Sequence, residues 1–364
     1  MPHVVPRFRL RGRHRTGPAT VLLAVACALA LTSCTGEPAP EDASADGGIP
    51  ALSENRLQVL EDAPAPELPV TVESVVLDPY RTSADPLEYE EVEVTDASRV
   101  LPLTGGLAEI VFTLGLGAQV VGRDVAATFD EASDLPVISE GHDVSAESVL
   151  ALQPTVVVAD TQTGPPEVIE QIQRSGVPVV IVEEAWSIDE MYPRFERVAE
   201  ALGVPTAGTR LVERTRDQMA EVREASLEAS ADPLVAFLYL RGTAGVYLLG
   251  GPGSGADAML AEIGARDAGV EMGLTTPFTP ITTEALIEAQ PDVLLVMTKG
   301  LESVGGVEGL VEIPGVAQTP AGRNAAVIDF EDGVLLNFGP RTPQVIVSLA
   351  EELAAIPDGD GGTA

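Results

Sequence analysis

A chain of 364 residues with 45% hydrophobic side chains is long enough to bury two modest cores, which excludes a protein disordered throughout. Its 56 Asp and Glu outnumber 21 Lys and Arg, giving a formal charge of −35. A surface that acidic repels nucleic acid and anionic lipid, so a nucleic-acid partner is excluded, and the charge by itself identifies no ligand.

The N-terminus reads "MPHVVPRFRLRGRHRTGPATVLLAVACALALTSC": five arginines and no acid, an apolar run from Val21 to Leu31, then small residues up to a cysteine. That is a secretory signal layout, and the apolar run is too short to span a bilayer comfortably. Leu31, Thr32, Ser33 and Cys34 resemble the lipobox of bacterial lipoproteins, which implies removal of residues 1–33 and acyl chains on Cys34. Several chains on one residue hold a protein stably on a membrane. Cleavage leaves 16 basic against 56 acidic side chains, a charge of −40, and takes away Cys27, so no disulfide is possible. His3 and His14 also leave, and His142 becomes the single histidine of the mature chain.

Residues 34–87, rich in Pro, Gly and acids over most of their length, read as a flexible tether, with the folded body starting near Glu88. The segment "DLPVISEGHDVS" predicts a short strand from Leu135 to Ser139 with His142 in the loop that follows. "SAESVLALQPTVVVAD" (residues 145–160) then matches "TTEALIEAQPDVLLVM" (residues 282–297) at an offset of 137, with Glu147 over Glu284, Gln153 over Gln290 and Pro154 over Pro291. Each copy predicts a short helix opened by Ser or Thr, a Pro turn, and a continuous apolar strand buried on both faces. Upstream of each copy a glycine-rich turn leads into a helix: "LPLTGGLAEIVFTLGLG" and "VYLLGGPGSGADAMLAEIG".

Residues 205–232 lie between the copies, with sparse apolar positions among charges, and predict one long, mostly solvated helix. The expected architecture is therefore two similar α/β lobes, 88–204 and 233–354, joined by one rigid helix, with a ligand cleft between them and a disordered tail over 355–364. Open α/β sheets present binding loops at the carboxyl ends of their strands. "PLVAFLYLRGTAG" predicts a strand over residues 234–238, with Tyr239 and Arg241 at its end and pointing the same way if the strand continues. Met297 ends the apolar run Val293 to Val296.

Taken singly, a loop histidine is usually a surface residue, a strand tyrosine is ordinary packing, and an arginine at a strand end is solvated. Facing each other across one cleft, a His and a Tyr are both established axial ligands of haem iron. Arg241 supplies the charge that favours phenolate, or pairs with a porphyrin propionate. Zinc and manganese sites need three or more His, Cys or carboxylate ligands, which one histidine and no free thiol do not provide. "GGPGSGAD" lacks the Gly-Lys-Ser/Thr ending of a phosphate-binding loop and reads as a tight turn into a helix. No Gly-x-Ser-x-Gly elbow occurs, and nothing points to an enzyme.

The body, roughly Glu88 to Leu353, resembles the substrate-binding proteins of the cobalamin, siderophore and haem ABC importers, and within them the HmuT-type haem-binding lipoproteins of Gram-positive actinobacteria. "SEGHDVSAESVLALQPTVVV", "FLYLRGTAGVYLLGGPGSGADAMLAEIGARDAG", "VLLVMTKGLESVGGVEGLVEIPGVAQTPAGRNAAVI" and "LLNFGPRTP" carry the resemblance. It implies the class III fold, with two lobes and a rigid connecting helix. It also implies His142 and Tyr239 as axial ligands of a transported haem b, Arg241 supporting the tyrosine, and Met297 lining the pocket. Glu147 and Glu284 would dock on an ABC permease carrying its ATPase subunits, and their equivalence in the repeat suits a two-fold partner. As helix-start carboxylates they also complement the macrodipole. A monomer is expected. With Lys299 the single lysine, propionate neutralisation falls to arginines such as Arg241 and Arg341. The alternative cargo is cobalamin or a ferric siderophore.

Overall fold

The computed structural model describes residues 49, 52, 55–62, 65–78, 80 and 85–356, apart from 141–142 and 228–231. All of them belong to one compact unit, residues 48–364. Cys34 and His142 lie outside the described residues.

Order begins earlier than the composition suggests. Val70–Val75 (β1) and Tyr89–Val94 (β2) form an antiparallel ladder running from Val70 opposite Val94 to Val75 opposite Tyr89. Further upstream Leu57 is buried, the Leu60 amide donates to the Thr113 carbonyl (2.8 Å), and Asn55 donates to the Thr128 carbonyl (2.8 Å). The expectation that 34–87 is tether throughout is thus corrected. Prolines and acids dominate the composition there, but Leu52, Leu57 and Leu60 each enter or adjoin the main core, and "VTVESV" alternates with the period of a strand.

The first lobe continues with Val100–Pro102 (β3), Gly105–Val111 (α1), Arg123–Asp124 (β4), Val137–Glu140 (β5) and Asp143–Val144 (β6). Ala146–Ala151 (α2), Val156–Asp160 (β7), Pro166–Arg174 (α3), Val179–Val182 (β8) and Ile188–Ala201 (α4) complete it. Strands β3, β7 and β8 are parallel with β7 central. Every residue of β7 and β8 is buried, as a parallel strand covered on both faces requires.

After the 23-residue helix Pro205–Leu227 (α5), about 34 Å long at 1.5 Å per residue, comes the second lobe. Its elements are Leu234–Arg241 (β9), Val246–Gly250 (β10), Ala256–Glu262 (α6), Arg266–Asp267 (β11), Ala268–Glu271 (α7) and Phe278–Pro280 (β12). They continue with Thr283–Ala289 (α8), Val293–Met297 (β13), Thr298–Ser303 (α9), Gly306–Glu312 (α10), Pro320–Asn324 (α11), Val327–Phe330 (β14) and Thr342–Ala355 (α12). The sheet runs β12-β10-β9-β13-β14, with β11 also pairing β9. Helix α5 buries Leu211, Val212, Met219 and Val222 and packs against α4 of the first lobe and α6 and α12 of the second. One helix therefore braces both lobes.

The internal repeat survives as geometry. Helices α2 and α8 bury Val149 and Leu286, and both are followed by a glutamine in the left-handed region, Gln153 at φ 49° and Gln290 at φ 45°. A buried proline then turns the chain into β7 or β13. Left-handed backbone costs a non-glycine residue ~1 kcal/mol, so its recurrence at matched positions marks a shared turn.

Where the lobes meet, Glu109 of α1 is 2% exposed and Arg341, before α12, is 3% exposed. The Arg341 Nε donates to Glu109 Oε1 (2.9 Å), a second guanidinium nitrogen bonds the same carboxylate, and Nη1 donates to Asn55 Oδ1 (2.6 Å). Nearby, Thr128 donates to Glu331 (3.1 Å), and Gly333 approaches so closely that a Cβ there would lie 2.0 Å from the Ala126 carbonyl oxygen.

Candidate ligand-binding site

Strand β9 does not stop at residue 238 but continues through Arg241. Alternation then puts Leu240 into the core on one face and Tyr239 and Arg241 together on the other. Tyr239 is half-buried, its ring edge-on to Phe278 at 5.8 Å, and Phe278 in turn meets Phe237 at 6.3 Å. The exposed Arg241 folds back so that its Nε donates to the Tyr239 hydroxyl oxygen, with the guanidinium carbon 5.3 Å from the ring centroid. A cation aimed at a phenol oxygen is placed to hold charge that develops there.

Met297 is 9% exposed and ends β13, one register step beyond the Val296–Leu238 pair, which sets it beside Tyr239 on the same sheet face. Phe330 lies opposite Met297 on β14. Phe278, Tyr239, Met297 and Phe330 thus make an apolar row across the sheet, with a guanidinium at its edge. A concavity of about 480 Å³, lined by Gly242, Tyr247, Ser303 and Ile313 among others, lies on the opposite face, because Tyr247 pairs with Leu240 and shares its side.

On the first lobe, β5 and β6 pair with Glu140 opposite Asp143. Gly141 and His142, between them in sequence, lie outside the described residues. The described part of this lobe holds a polar group that the sequence reading missed. Asp160, at the carboxyl end of β7, accepts from Arg194 (2.9 Å), Thr104 (3.2 Å) and Thr163 (3.0 Å), and the Asp160–Arg194 pair is nearly sealed from solvent. Glu184, just past β8, accepts from the Trp186 indole (3.0 Å). Burial, reinforced by the Asp160 charge, pushes the Glu184 carboxyl up to about 7. The cluster reaches the lobe junction: a Cβ on Gly106 would lie 3.5 Å from Arg194 Nη1 and 2.8 Å from the Asn337 carbonyl oxygen. In the repeat Asp160 occupies the position of Met297, a strand-end ligand candidate replaced by a buried acid. That acid in an apolar run was the available signal.

Glu147 and Glu284 are both exposed in the first turns of α2 and α8. Arg341 departs from expectation: its fork is spent on Glu109 and Asn55 inside the protein, so it is not a propionate partner. Among the described residues no three His, Cys, Asp or Glu side chains converge in a way that would hold a metal ion, and no helix is long and apolar enough to cross a membrane.

Comparison with known proteins bears on this arrangement. The solved haem-binding protein HmuT is 35% identical, with a TM-score of 0.73 over 82% of this chain and 94% of its own. The periplasmic heme-binding protein RhuT from Roseiflexus sp. RS-1, in apo form, is 42% identical, with a TM-score of 0.68 over 71% of this chain and 98% of its own. The uncharacterized ABC transporter substrate-binding lipoprotein YvrC of Bacillus subtilis is 24% identical over 279 residues, 75% of this chain and 86% of its own. Residues 100–332, which hold the parallel β3-β7-β8 sheet, the second-lobe sheet, the helix between them and every described candidate ligand, match the periplasmic binding protein model, and the chain belongs to that family of binding proteins.

Proposed function

We propose that this protein binds haem b as cargo at the outer face of the cell membrane and hands it to the permease of an ABC importer, whose ATPase subunits drive uptake. In this reading Tyr239 and His142 are the axial ligands of the haem iron, Arg241 holds charge on the phenol oxygen, and Met297 and its aromatic neighbours line the porphyrin face. Lipid on Cys34 anchors the chain, and Glu147 and Glu284 engage the permease, one from each lobe. The protein acts as a monomer. The long helix α5, packed on both lobes, favours small lobe movements over wide closure.

The observation that carries the reading is the Arg241–Tyr239 pair on the aromatic and thioether face of the second-lobe sheet. Phenol is an established haem ligand, and the adjoining apolar row suits a flat macrocycle. The 35% and 42% identity to haem-binding proteins supports the same cargo. Competition tests it: the purified protein should take up one equivalent of haemin and give a saturable Soret band that excess cobalamin leaves unchanged. Displacement of haemin by cobalamin, or saturable binding of cobalamin alone, would replace this reading.

A further inference from the structure

The concavity of about 480 Å³ on the sheet face opposite Tyr239 has no part in holding haem, yet its walls are firmly built. Residues of α8, α9 and α10 line it, and close backbone approaches fix their spacing. A Cβ on Gly309 would lie 1.8 Å from the Val304 carbonyl oxygen, which locks α10 onto the end of α9. One on Gly315 would lie 2.9 Å from the Thr283 carbonyl oxygen, which holds the chain leaving α10 against α8. The Gly242 amide donates to Ser303 Oγ (2.8 Å) and ties α9 to the end of β9. A hollow already formed in this way costs little ordering when it is filled.

The lining is apolar inside and acidic at the mouth. Tyr247, Ile281, Val304 and Ile313 are half-buried, whereas Glu312 is exposed and its carboxylate has no partner among the described residues. No basic side chain lines the hollow: Arg241 and Lys299, the nearest in sequence, lie outside it. The surface then runs on to Glu284. Thr283 is part of the lining, and at 3.6 residues per turn Ile287 projects about 40° round the axis from Thr283 and about 60° from Glu284, so it stands between them on α8. Ile287 is left 40% exposed, and the Glu284 carboxylate has no partner among the described residues. Small-molecule sites enclose most of their ligand. This hollow instead opens to solvent beside the exposed Glu312 and Pro314, a form that suits a segment presented by another protein: an apolar centre with a charged rim.

We infer that this concavity seats a loop of the permease that carries an apolar side chain beside a cation, the apolar group filling the hollow and the cation meeting Glu312. The inference rests on the reading that Glu284 docks on the permease. It is tested with the haemin-loaded full chain on the importer reconstituted in nanodiscs, by the concentration that half-saturates ATPase stimulation. Thr283→Trp, which fills the mouth, and Glu312→Arg, which reverses its charge, should each raise that concentration about tenfold, and Glu312→Gln should raise it less. Added salt should shrink the Glu312→Arg defect and leave that of Thr283→Trp, since only the first is electrostatic. Haemin affinity should match the wild type in all three. Normal half-saturation in either Thr283→Trp or Glu312→Arg, with Glu284→Ala impaired, overturns the inference and leaves the docking reading standing. Weakened haemin binding in Glu312→Arg also overturns it, by returning this face to the cargo. Normal half-saturation in every variant, Glu284→Ala included, overturns the docking reading and the inference together.

Discussion

Replacing Arg341 with Ala removes one side of an ion pair whose side chains are 3% and 2% exposed and that joins the two lobes. Among the described residues, the carboxylate of Glu109 would remain buried with the Asn337 amide (3.2 Å) as its one remaining side-chain donor, and Asn55 would lose one of the bonds that hold the N-terminal segment at the junction. Stranding one charge of a buried pair costs about 3–5 kcal/mol, far more than the roughly 0–1 kcal/mol of an exposed pair. For domains of about 150–250 residues each kcal/mol moves Tm by ~2–4 °C, so even 3 kcal/mol lowers the midpoint by roughly 6–12 °C. Calorimetry and urea denaturation of the wild type and Arg341→Ala measure this directly. Replacing Glu109 and Arg341 together by leucine should recover most of the loss, since no unpaired charge then stays inside. A loss below about 1 kcal/mol, or an intact midpoint with weakened haemin binding, would refute the reasoning and return Arg341 to the ligand site.

Other perturbations test separate parts. Arg241→Ala should retain haemin but shift the Soret maximum and weaken binding about tenfold, because a charge-assisted bond to the ligating oxygen is lost; an unchanged spectrum would separate Arg241 from the iron. Glu184 titrates near 7 in the fold against 4.5 for an ordinary glutamate, owing to burial and then to Asp160, so the folded state holds an extra proton between those values. Stability from this group is full below about pH 4.5 and is lost as pH rises towards 7. The Tm gain of Glu184→Gln over wild type should therefore be larger at pH 8 than at pH 5, and equal gains would contradict it. Gln153→Gly should stabilise by roughly 0.5–1 kcal/mol in urea denaturation, by relieving a left-handed backbone at an exposed site. Glu147→Ala combined with Glu284→Ala should leave haemin affinity intact while reducing haem-stimulated ATPase activity of the reconstituted importer, whereas unaltered stimulation would exclude them from docking.

The repeat was readable because its pattern repeats the physics: a short helix opened by Ser145 or Thr282, of which only Thr282 accepts a capping bond, from the Ala285 amide, then a Gln-Pro turn and a strand whose continuous apolar run suits burial on both faces. The shared direction of Tyr239 and Arg241 followed from strand alternation, once β9 extended through both. The β1–β2 ladder was obscured by Pro and acid content, although "VTVESV" and "YEEVEV" alternate, because a surface ladder leaves half its side chains in water. Arg341 and Arg194 could not be placed, since pairing of buried charges is a tertiary property. The matching hints were lone acids in apolar runs, Glu109 in "GGLAEIVFTLGLG" and Asp160 after "TVVVA". Such an acid calls for a distant cation, and the local pattern does not say which one.

The most direct test of the haem reading is a haemin titration followed by absorption spectroscopy on the wild type, His142→Ala, Tyr239→Ala and the double variant. One-to-one saturation is predicted for the wild type, with a Soret band altered in each single variant and tight binding abolished in the double. Saturable binding with an unchanged spectrum in the double variant would contradict axial ligation by these two side chains.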